Sequence, residues 1–311
     1  MRFCTIEHER SLRPCAAVGD RLVDLVALGE AGKRAGLGVP GFPHPLTVVQ
    51  AASEPYRAPL GECLHGVAQR GEELEAVARQ AGLELFHDPG RAVWAAPVPA
   101  PGKIICVGLN YRDHAEEQKA KLPEEPLLFA KFANTLRGHL QPVELPAISD
   151  KVDLEAELGF VVGRRGRHIP ERDAAQYILG YTIVNDVSAR DLQARDRQWF
   201  RAKSCDSFAP MGPYLVTPDD VPDPMDLKIE SYLNDFQMQS SSTRNLIFNV
   251  FSLVAFISRA LTLEPGDIVS TGTPAGVGVF RNPPIFLKDG DRMRISIERL
   301  GELENPVAGA L

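Results

Sequence analysis

Residues that mark several protein classes are scarce in this chain. Its 311 residues include five cysteines (Cys4, Cys15, Cys63, Cys106 and Cys205), which are scattered, odd in number and never spaced C-x-x-C. That pattern excludes a disulfide scaffold and argues against a zinc site; it predicts reduced thiols in a cytoplasmic setting. Positive charge is in deficit: 34 Lys plus Arg stand against 41 Asp plus Glu, a formal net charge of −7. A general nucleic-acid binder would be basic. Long apolar runs are missing too. The most apolar stretch, Leu246–Leu263, is broken by Asn249, Ser252, Ser258 and Arg259, so no membrane span is expected. The opening residues meet charge at Arg2 and contain no apolar core, which is not the pattern of a signal peptide. The remainder is ordinary globular composition, 44% hydrophobic and 24% charged, enough to bury a core in one large or two smaller domains.

A compositional break falls at Ala95–Lys103, where Pro97, Pro99 and Pro101 alternate as a stiff connector. It divides the chain into a small N-terminal α/β part, 1–95, and a larger part, 96–311. Upstream, Arg2–Glu7, Pro14–Val18 and Arg21–Leu25 read as a short β-meander, and Leu60–Gly82 as a helix burying Leu64, Val67, Leu74, Val77 and Ala78. Downstream, strands are expected at Lys103–Gly108, Leu127–Lys131, Asp153–Val162, Tyr181–Asp186, Leu227–Leu233, Asp267–Thr271, Arg292–Arg299 and Glu302–Pro306. Helical patterns are few: a short one after Asn110 with Asp113 as N-cap, one at Ser188–Arg195 and one within Leu246–Leu261. No regular βα repeat appears, so the class is α+β and strand-rich, not doubly wound.

Candidate chemistry gathers in the larger part. In Asp153–Val162 the even-numbered residues are apolar, while Glu155 and Glu157 share the other face, about 7 Å apart by strand rise. A bare E-x-E also describes a solvent-facing acidic edge. A third acid, Asp186, sits where a strand ends, and three carboxylates without Cys or His form an all-oxygen set suited to Mg²⁺, Mn²⁺ or Ca²⁺. His114 and Glu117, three apart on a helix, can pair so that one ring nitrogen stays free as a base; a surface His–Glu pair, or Glu116 as the partner, fits the same spacing. Asp186, Arg190 and Gln193 fall on one face if the helix begins near the acid, presenting a cation and an amide to an anionic substrate. The competing description is a charged surface ladder with Asp191, Arg195, Asp196 and Arg197. The run Ser270–Gly278 is a glycine-rich turn after a strand whose N–H groups could cradle a carboxylate, or simply a tight turn.

Taken in order, VGLNYRDHAEE, LFAKF, VDLEAELGFVVG, GYTIVNDVSARDLQ, AKSCDSFAPMGP and GDIVSTGTPAGVG closely resemble the fumarylacetoacetate hydrolase family, over roughly Ala95 to Val307. The N-terminal part is similar to the extra domain of the longer bacterial members. The resemblance implies a C-terminal domain of mixed β-sheets rolled around a metal site, in a homodimer. It implies metal ligands Glu155, Glu157 and Asp186, and catalytic His114, Glu117 and Lys203. It also implies Arg190, Gln193, Thr273 and Lys131 at the substrate. The activity it implies first is divalent-metal-dependent hydrolysis of a C–C bond in a 2,4-dioxo acid of acylpyruvate or fumarylpyruvate type, with pyruvate leaving as its enolate. Two other outcomes of the same chemistry are decarboxylation, of oxaloacetate for example, and isomerisation of a hydroxymuconate-type dioate. A non-catalytic binding protein would lack a ligand or dyad residue, and none is lacking. Departures at Ala202, Cys205 and Ala133-Asn134 bear on the pocket wall and the substrate's identity.

Overall fold

Capping residues set where the helices begin. In the computed structural model, which describes residues 1–36, 42 and 46–309, Asp24 accepts from the N–H groups of Val26 and Ala27 and starts the helix Leu25–Arg34. Asn249 does the same for Val250–Ala260 through Phe251 and Ser252. The predicted helix over 60–82 is Arg57–Gln80, with non-helical dihedrals at Arg70, and it buries Leu60, Leu64, Val67, Leu74 and Ala78. Among the described residues, no helix is long and apolar enough to cross a membrane.

The strands form one large mixed sheet, one smaller five-stranded sheet and a two-stranded pair of Val152–Asp153 with Ser188–Ala189, the strand-rich α+β class expected. From one edge to the other, the large sheet runs Phe86–His87, Arg21–Asp24, Ser11–Val18, Arg2–His8, Ala209–Val216, Ile178–Asn185, Ala156–Val162, Ile268–Ser270, Ile104–Gly108 and Leu127–Lys131. The N-terminal meander therefore continues the sheet of the larger part, with Arg2 opposite Val216 and Phe3 opposite Leu215. The smaller sheet orders Phe236–Ser242, Lys228–Leu233, Arg292–Ile297, Gly301–Ala308 and Val143–Glu144. Its inward residues Ile229, Ile295 and Leu303 join Leu253 and Val254 of the helix against Phe160, Ile183 and Val269 of the large sheet. Ala156–Val162 lies in the middle of this assembly and is buried along its whole length, so both of its faces are interior.

Near the connector, His139 packs edge-to-face on Trp94 at 5.4 Å between centroids and accepts the Glu304 N–H at Nδ1, 3.0 Å. Burial pushes its pKa down from 6.5 to about 4. The fold thus prefers the neutral ring. The unfolded chain binds the proton first, so this contribution is full above about pH 6.5 and is lost as pH falls toward about 4. The His139→Gln variant is expected to flatten that part of a plot of Tm against pH. An unchanged slope would place the effect on other groups.

Candidate metal centre

The acidic centre is assembled by register. Ala156–Val162 pairs with Ile178–Asn185, Ala156 opposite Asn185 and Glu157 opposite Val184, and on its other side with Ile268–Ser270. The Asp186 N–H donates to the Glu155 carbonyl at 2.9 Å, which holds the acid after one strand level with the acid before the other. One carboxylate oxygen from each of Glu155, Glu157 and Asp186 lies within 4.8 Å of the others. All three side chains are buried, so the exposed acidic edge allowed by the spacing does not exist. Even-numbered residues from Ala156 to Val162 enter the core beneath the smaller sheet, while Val161 enters the other core.

Buried carboxylates need compensation, and three basic side chains supply most of it. Lys203 Nζ donates to Glu155 Oε2 and to Asp186 Oδ2, 2.7 Å each. Lys131 Nζ donates to Asp186 Oδ1 at 2.5 Å and to the Val187 carbonyl. Arg190 Nη2 stands 2.6 Å from Glu155 Oε1 and 2.9 Å from Asp153 Oδ2. Burial alone would raise Glu155, but Arg190 and Lys203 overcome it and hold the carboxyl well below the usual range. Lys203 is held charged in return: burial opposes its charge, and Asp186 and Glu155 outweigh burial.

Glu157 differs. Its Oε2 accepts from Ser270 Oγ at 2.5 Å and from the Gly272 N–H at 2.9 Å, but among the described residues no ion pair reaches it. Burial, then the charges of Asp186 and Glu155, push its pKa well above the carboxylate range. Four buried carboxylates (Asp153, Glu155, Glu157, Asp186) thus face three buried cations (Lys131, Arg190, Lys203). An all-oxygen donor set with uncompensated negative charge fits a hard divalent cation.

His114 lines the same cavity as Glu155, Glu157 and Asp186. Arg112–Glu117 is a short helix whose N-cap is Tyr111, not Asp113. Asp113 sits in the first turn and is engaged elsewhere, accepting from Ser241 Oγ and Asn245 Nδ2. The His114 Nδ1–H donates to Glu117 Oε2 at 2.8 Å; Glu116 points to solvent. A carboxylate accepts only, so the neutral ring carries its proton on Nδ1 and has its lone pair on Nε2. There Gln118 Nε2 donates, at 2.6 Å. Glu117 is fixed in turn by the Gly276 N–H at 2.9 Å.

His114, the three carboxylates, Arg190, Gln193, Lys203 and Thr273 border one cavity of about 310 Å³, whereas Glu117 and Lys131 stand behind its wall. Asp186, Arg190 and Gln193 do not share one helical face. The helix is only Arg190–Arg195, and between the acid and the helix Ser188–Ala189 pairs as a strand with Val152–Asp153. Arg190 and Gln193 still meet, Nη1 donating to Oε1 at 3.0 Å. Thr273 Oγ1 donates to the Ala156 carbonyl and accepts from Gln239 Nε2.

Three elements of this site go beyond the residues expected from the sequence. Asp153 lies under Arg190 and accepts from the Gly278 and Val279 N–H groups; its place on the acidic face of the Glu155 run was the available signal. Gln118 holds the ring of His114, one turn along the same short helix. The third is the work of the glycine-rich turn. Its N–H groups at Gly272, Gly276 and Gly278 go to the protein's own Glu157, Glu117 and Asp153. Gly276 has φ +105° and a Cβ there would stand 2.2 Å from the Met238 carbonyl. Gly276→Ala is therefore expected to destabilise the fold by about 1–3 kcal/mol or more and to loosen Glu117. Wild-type melting and turnover in that variant would contradict this.

Residues 103–308 match the family described as fumarylacetoacetate (FAA) hydrolase C-terminal. The protein named oxaloacetate tautomerase Fahd2a, mitochondrial, from Rattus norvegicus is 45% identical over 242 residues, 77% of each chain. Among solved structures, the 5-carboxymethyl-2-hydroxymuconate delta-isomerase from Mycobacterium smegmatis superposes with TM-score 0.72 at 33% identity, covering 100% of both chains. The maleylpyruvate hydrolase from Sphingobium sp. SYK-6 superposes with TM-score 0.75 at 28% identity, again over 100% of both chains.

Proposed function

The chain belongs to the fumarylacetoacetate hydrolase family, and from that premise we propose that it interconverts the keto and enol forms of a small 2-oxo acid of the oxaloacetate type, using a divalent cation. The carrying observation is one small cavity bordered by a fixed imidazole lone pair, three convergent carboxylates and the cations Arg190 and Lys203. The 45% identity to a protein named oxaloacetate tautomerase supports proton transfer over hydrolysis. That reverses the order expected from the sequence, where C–C cleavage of a 2,4-dioxo acid came first. Cleavage remains the second reading, supported by the fold shared with a maleylpyruvate hydrolase.

Glu155, Glu157 and Asp186 would hold Mg²⁺, Mn²⁺ or Ca²⁺, which when bound supplies Lewis-acid polarisation of the 2-oxo oxygen. The chain's own groups do the rest. Arg190, kept charged by Glu155 and Asp153, and Gln193 bind a substrate carboxylate, and Thr273 lines the far wall. Once Gln118 turns aside, His114 Nε2 takes a proton from C3. Glu117 holds the ring in the tautomer that makes Nε2 the base and steadies the imidazolium. Lys203 faces the negative charge that grows on the 2-oxo oxygen, and the proton returns to that oxygen to complete the enol. Lys131 positions Asp186 from behind. A homodimer is part of this reading: Phe132 and Phe200 meet edge-to-face at 5.2 Å while each stays more than half exposed, an apolar patch suited to a partner copy.

The test is purified protein with Mg²⁺ or Mn²⁺, supplied with enol-oxaloacetate and, separately, acylpyruvates. Accelerated loss of the enol with no change of mass supports the proposal. Pyruvate plus a free acid from an acylpyruvate, with enol loss at the spontaneous rate, overturns it in favour of hydrolysis. Carbon dioxide and pyruvate from oxaloacetate overturn it in favour of decarboxylation.

A further inference from the structure

A second donor set lies at the other end of the large sheet, in the N-terminal part of the chain. The strand Val93–Ala95 pairs back on Arg2–His8, Glu7 opposite Val93. This return brings Phe86–His87 beside the end of Arg2–His8, although two strands separate them in pairing order. His8 and His87 consequently pack with tilted rings, 4.8 Å between centroids, and Glu84 reaches both. Glu84 Oε2 lies 3.5 Å from His8 Nε2 and 3.7 Å from His87 Nδ1, and one ligand atom from each residue falls within 4.8 Å of the others. Two donors each about 2.1 Å from a tetrahedral ion stand about 3.4 Å apart. The two Glu84–imidazole separations match that spacing within a few tenths of an ångström, and the third stays within 4.8 Å.

Two further observations point to a ligand. His87 is 7% exposed, and among the described residues its Nε2 has no hydrogen-bond partner. Nε2 stands 3.6 Å from Asp24 Oδ2, the position of an outer-shell carboxylate behind a ligating imidazole. Nearby basic side chains are engaged elsewhere: Arg13 by Asp24, Arg79 by Glu75, and Arg21 over the Phe86 ring. Among the described residues, none pairs with Glu84. A cleft of about 500 Å³ opens on His8 and Glu84, leaving an entry path and room for water as further ligand.

We propose that His8, Glu84 and His87 form a second metal site, for a borderline transition-metal ion such as Zn²⁺ or Co²⁺. Two imidazoles and one carboxylate suit such ions, whereas the hard oxygen set at the other centre suits Mg²⁺ or Mn²⁺. The site is independent of the reaction proposed above, and its residues lie outside the cavity that holds the base.

The experiment uses the full-length protein, stripped with chelator, then saturated with Mg²⁺ and titrated with Co²⁺ by equilibrium dialysis and visible absorption. One equivalent of Co²⁺ is expected. His8→Ala and Glu84→Gln, both at partly exposed side chains, should weaken it by at least about a hundredfold, above the 10–100-fold typical of losing an outer-shell partner. Both variants should keep Mg²⁺-supported turnover, and Glu157→Gln should keep the Co²⁺ equivalent. No Co²⁺ bound in the presence of Mg²⁺ overturns the proposal. So does affinity indifferent to both substitutions, or an equivalent that disappears with Glu157→Gln.

Discussion

Glu155→Ala is expected to destabilise the metal-free protein by about 3–5 kcal/mol, while Glu157→Gln leaves it unchanged or more stable, although the two acids share one E-x-E. Glu155 is the partner of Arg190 and Lys203, and removing it strands part of two buried positive charges. Among the described residues Glu157 has no such partner, and it is pushed toward its neutral form by burial and by Asp186 and Glu155. A glutamine at 157 keeps an acceptor for Ser270 and Gly272 and removes the uncompensated charge. When a divalent ion is added, the wild type overtakes Glu157→Gln. At a hundred times its dissociation constant, Mn²⁺ should stabilise the wild type by about 2.7 kcal/mol and Glu157→Gln by almost nothing. Urea unfolding in chelator and in Mn²⁺ measures both. Equal loss of stability for the two variants in chelator would remove the distinction between a paired and a ligand carboxylate.

His114→Ala should lower kcat for keto–enol interconversion by about 10²–10⁴-fold and leave divalent-ion affinity intact. The imidazole is joined to Glu117 and Gln118 and lies outside the carboxylate triad, so its loss removes the proton carrier and keeps the cation site. Stopped-flow measurement of enol decay, with Mn²⁺ binding measured in parallel, separates the two effects. A His114→Ala enzyme that turns over at the wild-type rate with its ion bound would assign the proton transfer to another group, Lys203 foremost.

Much of this molecule was legible before any coordinates. The alternation of Leu154, Ala156, Leu158, Phe160 and Val162 follows from the two-residue period of a strand, and the i, i+3 spacing of His114 and Glu117 from a helix turn. Those periods are local properties of the backbone, so the sequence carries them. Burial was not legible. The same alternation describes a sheet with one wet face, and only packing on both faces turned Glu155 and Glu157 inward. Asp113 read as an N-cap because its residue type favours one, yet long-range partners at Ser241 and Asn245 claimed it. The extent of the helix after Asp186 was misjudged for a similar reason: Ser188–Ala189 is taken by a strand from Val152–Asp153, a pairing no local signal announces.

By itself, the sequence determined the strand-rich class, which acidic, basic and imidazole side chains gather at one cavity's candidate positions, and the family to which the chain belongs. These rest on residue type and short-range spacing. Tertiary structure alone decided that Glu157 lacks a counter-charge among the described residues and that the glycine-rich turn spends its N–H groups on the protein's own carboxylates. It also brought His8 and His87 together across 79 residues of chain. Each of these depends on which distant segments share a dry interior, where Coulomb interactions strengthen and every polar atom must find a partner.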